Sequence, residues 1–259
     1  MQKLTDQAPE FIRAIAPYKA GKPVSDVVRE LGLDPNTVVK LASNENPLGL
    51  GEKAKAAIAQ AAADLGRYPD ANGFSLKAKL ANRHGVGSDQ ITLGNGSNDV
   101  LELAAKAFLT QGRNAVFSQY AFAVYPLATQ GCGAQSKVVP AVCYTHDLDG
   151  FLKTIDANTR VVFIANPNNP TGTFLPQDKL LAFLKQVPKQ VLVVLDEAYN
   201  EFLQPQDQYD STQWVGQFPN LLVSRSFSKA YGLAGLRVGY AVSSVEVADL
   251  MNRVRQPFN

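Results

Sequence analysis

Apolar residues along this chain come in short, unbroken blocks. Gln90–Leu93, Asn114–Ser118, Lys137–Val142, Val161–Ala165, Val191–Leu195, Asn220–Val223 and Leu236–Ala241 each centre on Val, Ile, Leu, Phe or Ala. Runs of this length without polar alternation mark strands buried on both faces. Longer stretches with helical spacing alternate with them: Glu52–Leu65, Gly73 to near Gly85, one from near Ser97, Tyr120–Gln130, one from about Asp147, Gln177–Gln186 and Ser244–Arg255. Glu52–Leu65 is alanine-rich, and alanine is the best helix former. The alternation predicts an α/β fold, a mostly parallel seven-stranded sheet with helices on both faces. Residues 1 to about 40 differ. Pro9, Pro17, Pro23 and Pro35 break the pattern, predicting an arm with one short helix, Ser25–Leu31, capped by Ser25.

Composition narrows the picture. The 259 residues are 46% hydrophobic, enough for one large α/β core. The 25 basic and 23 acidic residues leave a net charge of +2 with no long run of one sign, so nothing marks a nucleic-acid or membrane surface. Two cysteines, Cys132 and Cys143, are too few for a disulfide framework, and His84 and His146 lie far from any motif. No stretch is long and apolar enough to cross a membrane, and MQKLTDQAPE lacks the apolar core of a signal peptide. The expected compartment is the cytoplasm.

Candidate chemistry gathers at predicted strand ends, where sheets of this kind bind ligands. In VSRSFSKAYGLAGLRVGY, Lys229 sits among Ser226, Ser228, Gly232 and Gly235, with Arg237 further on. Such a lysine can bind phosphate, lose its proton and attack a carbonyl, or be a plain surface lysine. Asp196 ends the run VLVVLD, so its carboxylate needs a cation or must cap the segment that follows. GNGSND (Gly94–Asp99) follows a strand and opens a helix. It either offers backbone N–H groups to a phosphate or is capped by Ser97 or Asn98. NPNNPTG (Pro167–Gly172 after Asn166) is a proline-fixed turn.

Asn-Pro-Thr-Gly, then Asp-x-x-Tyr, then Ser-x-Lys, then Arg, in that order, resemble the fold-type I pyridoxal-phosphate aminotransferases, and the resemblance runs from about Pro17 to Asn259. It implies residues 1–40 as an N-terminal arm or part of a small domain, and 41–259 as the large cofactor-binding domain. Lys229 would hold pyridoxal 5′-phosphate covalently and then move the proton between substrate and cofactor. Asp196 would face the pyridine nitrogen and keep it protonated, so that the ring draws electrons from the substrate carbanion. Asn169 and Tyr199 would donate to the phenolic oxygen; Gly96, Ser97, Asn98, Ser226, Ser228 and Arg237 would bind the phosphate. Tyr120 would stack on the ring unless it is simply core. Tyr68, otherwise an exposed turn residue, would reach the neighbouring subunit's cofactor and make the active unit a homodimer.

Within that family, IAPYKAGKP, ASNENPLG, NGSNDVLELAAKAF and RQPFN most resemble the histidinol-phosphate aminotransferases, which exchange an amino group between L-histidinol phosphate and 2-oxoglutarate. Tyr18 and Asn46 would then lie on the substrate side. Family members continue into a C-terminal small domain, which this chain is expected to lack. The rival readings are an aromatic amino-acid aminotransferase or a phosphothreonine-type decarboxylase of the same fold, and, more remotely, a truncated module that only binds cofactor or dimerises.

Overall fold

The computed structural model describes residues 3–18, 21–41 and 43–259. All seven expected strands are present: β1 (Ile91–Asn95), β2 (Asn114–Ser118), β3 (Gln135–Val139), β4 (Thr159–Ala165), β5 (Leu192–Asp196), β6 (Leu221–Ser226) and β7 (Val238–Ser243). They form one sheet in the order β1-β7-β6-β5-β4-β2-β3. β7 runs antiparallel to both its neighbours, and the other pairings are parallel. The carboxyl ends of six strands and the amino end of β7 therefore meet at one edge of the sheet.

The helices are α1 (Glu10–Arg13), α2 (Val24–Leu31), α3 (Glu52–Ala61), α4 (Phe74–His84), α5 (Ser97–Phe108), α6 (Val124–Gly131), α7 (Leu148–Thr154), α8 (Gln177–Leu184) and α9 (Val245–Val254). Strand residues alternate between two cores, as a period of two requires. Val161, Phe163 and Ala165 of β4 and Leu192 and Val194 of β5 pack with α5, α6 and α9. Val162, Ile164, Val193 and Leu195 pack with α4, α7 and α8. Each such Val, Leu, Ile or Phe side chain, fully buried, contributes roughly 1.5–3 kcal/mol. Asp196 thus faces the α5–α6 layer, and Glu197 the opposite one.

Several boundaries differ from the sequence reading, four of them for a clear local reason. β3 stops at Val139 because Pro140 has no N–H to give the ladder. α6 starts at Val124 rather than Tyr120, since residues 120–123 carry the chain across the sheet edge. β7 begins at Val238, after a 3₁₀ turn (Ala234–Leu236) and after Arg237 in the left-handed region at φ 53°. Ser25 does not cap α2: extended Pro23 takes that place, and Ser25 lies inside the first turn. The N-terminal elements through α3 contain no buried residue among those described, whereas every strand of the sheet has buried positions.

Candidate active site

A cavity of about 530 Å³ opens at the sheet edge where these strand ends meet. Asp196 and Lys229 both line it, with Asn169, Tyr199, Ser226, Ser228, Arg237, Ser97 and Asn98 around them. Only 5% of Asp196 is exposed. The Tyr125 hydroxyl donates to its Oδ2 at 2.9 Å, while Oδ1 is buried without a hydrogen-bond partner among the described residues. Burial pushes the Asp196 carboxyl up to about 6; the Tyr125 hydroxyl, the nearby Ala198 N–H and the charge on Lys229 hold it from rising further. An orphaned, dry carboxylate oxygen on a residue that lines the cavity fits a cationic N–H donor on a ligand.

Lys229 follows β6 in a tight turn. Its Nζ donates to the Asn44 carbonyl at 3.0 Å. Burial pulls its pKa below the ordinary lysine value, and the charge on Arg237 adds to this; Glu45 and Asp196 oppose it. The turn fits because Gly232, at φ 66°, lies flat against the Gly49 backbone, where a Cβ would collide with the Gly49 carbonyl. The segment 43–49 is thereby brought over the cavity.

The far end of the cavity carries donors. Arg237 Nη1 donates to Ser228 Oγ at 3.3 Å and its Nη2 to the Asn95 carbonyl at 3.2 Å; Ser228 N donates to Ser226 Oγ at 3.0 Å. Gly96, at φ 78°, is the N-cap of α5, and a Cβ there would run into the Arg237 guanidinium. Neither Ser97 nor Asn98 caps the helix: Gly96 makes no side-chain bond, and Asp99 turns back to accept the Asn95 N–H at 3.0 Å. The first-turn N–H groups of α5, the positive end of its dipole, a guanidinium and two hydroxyls together form an anion seat.

Between these ends, Asn169 Nδ2 donates to the Tyr199 hydroxyl at 3.1 Å, and Asn44 Nδ2 donates to the same oxygen at 3.0 Å. Both lone pairs of that hydroxyl are occupied, so its own proton is free to be donated into the cavity. A second, more apolar cleft of about 370 Å³ adjoins, sharing Asn44, Asn169 and Tyr199 and adding Phe174, Phe202 and Leu203.

Two sequence expectations land elsewhere, Tyr120 and Asn46. Tyr120 is exposed, with its ring 5.4 Å from that of Tyr144, outside the cavity lining; Phe122 holds the aromatic place beside the cavity, because two further residues carry the chain inward before α6. Asn46 is also outside. Its Nδ2 donates to the Ala230 carbonyl and its Oδ1 accepts from Leu48 N, so both ends of the amide are committed to holding the loop. Tyr68 is 83% exposed and lies against Phe258, away from this chain's own cavity. Tyr18 does line the cavity. Sequence reasoning missed Asn44, Glu45, Phe122 and Tyr125. Asn44 had a readable signal, standing two residues before Asn46 in the segment already singled out.

On the other face of the sheet, Glu197 is fully buried and meets Arg225 Nη2 at 2.7 Å. Burial raises the Glu197 carboxyl to about 7 although Arg225 and the Ser211 hydroxyl favour its charge. This pair lies behind the cavity and contributes nothing to its lining.

Comparison with known proteins agrees with this geometry. The family model for aminotransferase class I and II matches residues 36–259. The chain is 63% identical over 251 residues to histidinol-phosphate aminotransferase 1 of Cupriavidus pinatubonensis, covering 97% of this chain and 67% of that protein. It is 60% identical to histidinol-phosphate aminotransferase 2 of Ralstonia nicotianae, with the same coverage. The crystal structure of histidinol-phosphate aminotransferase from Sinorhizobium meliloti in complex with pyridoxal 5′-phosphate superposes with a TM-score of 0.88 at 30% identity, over 98% of this chain and 67% of that one. The chain spans about two thirds of the length of these relatives. It belongs to the pyridoxal-phosphate-dependent class I and II aminotransferases and, within them, to the histidinol-phosphate aminotransferases.

Proposed function

We propose that this chain carries the cofactor-binding part of an aminotransferase that exchanges an amino group between L-histidinol phosphate and 2-oxoglutarate, working as a cytoplasmic homodimer. The observation that carries the reading is the arrangement of one cavity: an orphaned carboxylate oxygen at one end, an anion seat at the other, and a lysine of depressed basicity beside them. Relatives about 60% identical support the substrate. The large domain is 41–259, and 1–40 is the arm.

When bound, pyridoxal phosphate supplies an electron sink for the carbon that bears the amino group. The protein does the rest. Ser226, Ser228, Arg237 and the backbone of Gly96, Ser97 and Asn98 hold the phosphate. Asp196 Oδ1 accepts the ring N–H and keeps that proton in place. Tyr199 donates its free hydroxyl proton to the ring oxygen; Asn169 and Asn44, donating to Tyr199, set the direction. Phe122 packs beside the cavity. Lys229 Nζ, with its basicity lowered by burial, takes a proton and returns it, the general acid–base part of the reaction. Tyr18 faces the substrate. Asn46 acts at one remove, by fixing the loop that bears Asn44 and Glu45.

Titrating pyridoxal phosphate into the protein and following its visible absorbance tests the reading. A saturable band that Lys229→Ala abolishes is the expected result. Its persistence in that variant would sink the assignment of Lys229. Turnover in the full-length protein should favour histidinol phosphate over phenylalanine and phosphothreonine; equal or better use of either rival refutes the substrate.

A further inference from the structure

We propose that Tyr125 is a positioning residue for the reaction: its hydroxyl pins one oxygen of Asp196 so that the other points into the cavity. This rests on the reading of Asp196 as the ring-nitrogen partner. A lone carboxylate at a strand end is free to turn about its Cβ–Cγ bond, and its two oxygens then exchange places. Here one oxygen is fixed, because the Tyr125 hydroxyl donates to Oδ2 at 2.9 Å in a dry site while Oδ1 is left without a partner among the described residues.

The hydroxyl is itself rigidly placed. Tyr125 is fully buried, on the first turn of α6. Its ring stacks on Phe163 of β4 at 4.8 Å and 7°, and Phe122 meets it edge-on at 6.0 Å and 88°. A ring packed on two sides by aromatics has little freedom to swing its oxygen away. β4 and β5 are neighbours in register, so the stacking partner on β4 and the carboxylate on β5 belong to one rigid frame. Tyr125 makes no contact with the cavity, so it acts through Asp196 rather than on a ligand.

The same contact bears on charge. The titratable groups facing Asp196 are Tyr125 from α6, Tyr199 from the turn after β5 and Lys229 from the turn after β6. Burial favours the neutral acid, and the donated O–H favours the carboxylate. The phenol cannot give its proton away in exchange, because burial and the adjacent Asp196 push its own pKa well above the ordinary tyrosine value. Removing the O–H therefore raises the Asp196 pKa, the sign opposite to that of losing a like charge.

Tyr125→Phe tests this, since it keeps the stacked ring and deletes only the donor. The carboxyl titration of Asp196 is read by NMR on protein carrying ¹³C-labelled aspartate, its resonance identified by absence in Asp196→Asn. In the cofactor-free protein the Tyr125→Phe titration should move up by about one pH unit. Tyr199→Phe, which loses no bond to Asp196, should not reproduce that shift. With cofactor, Tyr125→Phe should weaken pyridoxal phosphate binding about tenfold and shift the pH dependence of its bound absorbance upward. An unmoved Asp196 titration in folded Tyr125→Phe overturns the proposal. A moved titration, with cofactor affinity unchanged in both Tyr125→Phe and Asp196→Asn, instead overturns the assignment of Asp196 to the ring nitrogen. Should Tyr125→Phe fail to fold, 3-fluorotyrosine at 125, a stronger donor of nearly the same shape, must move the titration down; no movement there overturns the proposal equally.

Discussion

Asn44 and Asn46 stand two residues apart and do different work. Asn44 reaches in: its amide donates to Tyr199, and its carbonyl receives Lys229 Nζ. Asn46 reaches down: its amide bonds Ala230 and Leu48 of the protein's own loops. Asn46→Ala should therefore cost stability, about 1 kcal/mol for its buried bond, which lowers the melting temperature by roughly 2–4 °C in a protein of this size. Its affinity for pyridoxal phosphate should change by no more than about twofold, that bond lying outside the cavity. Asn44→Ala should do the reverse, leaving the melting temperature within a degree or so and weakening the cofactor about fivefold, since a misdirected Tyr199 forfeits about 1 kcal/mol. Thermal unfolding and cofactor titration on both variants decide it, and a swapped pattern would refute the division. The same pair shows the limit of reading residues from sequence. Motifs name a segment, but which of two asparagines turns inward depends on the loop's path over Gly232, a tertiary contact with no local signal. Lys229 and Asp196 were legible because a lysine in a small-residue turn and an acid ending an apolar run are each costly without a partner. Tyr125 was not, because a buried aromatic beside alanine and valine reads as core, and it is core as well as donor.

At the level of elements, β7 decides how the anion seat closes. Arg237 precedes β7 rather than following a strand, so in an all-parallel sheet it would lie at the wrong edge. Because β7 is antiparallel, its amino end comes to the shared edge and delivers Arg237 beside Ser228. The existence of seven strands was legible from their continuous apolar runs; the direction of β7 was not, since residues buried on both faces look alike in either direction. Contact with α5 depends on Gly239. A Cβ there would come within 2.5 Å of Gly96 C and Ser97 N, both backbone atoms that cannot move without displacing the helix start. Gly239→Ala should thus push the first turn of α5 outward, away from Arg237. The expected outcome is a loss of at least tenfold in affinity for pyridoxal phosphate, with a much smaller loss for pyridoxal, which lacks the phosphate. Equal losses for the two ligands would mean that the helix start is not part of the seat.

For the whole molecule, the contrast is between a well-buried sheet and an outward N-terminal third. Leu41, Leu48, Leu65, Tyr68 and Phe74 are between 75% and 91% exposed, all in residues 41–74. Large apolar side chains left this exposed along one stretch of the chain fit a surface that meets a partner. In the homodimer proposed above, Tyr68 would cross to the partner's cofactor phosphate, so that each site would take Lys229 from one protomer and Tyr68 from the other. Mixing variants tests that geometry. Homodimers of Lys229→Ala have no lysine in either site, and homodimers of Tyr68→Phe lack the crossing hydroxyl in both. In a mixed dimer, one site combines the intact Lys229 of the Tyr68→Phe protomer with the intact Tyr68 of the Lys229→Ala protomer. At equal proportions and free exchange, half the dimers are mixed and each restores one site of two, so about a quarter of all sites should recover tight, lysine-dependent binding of pyridoxal phosphate. Were Tyr68 to serve its own protomer's cavity, no mixed site would be whole and nothing would recover. Sedimentation at the same concentrations supplies the mass: a monomer throughout would exclude the shared site, and a dimer without recovery would leave Tyr68 packed on Phe258 as a surface residue only.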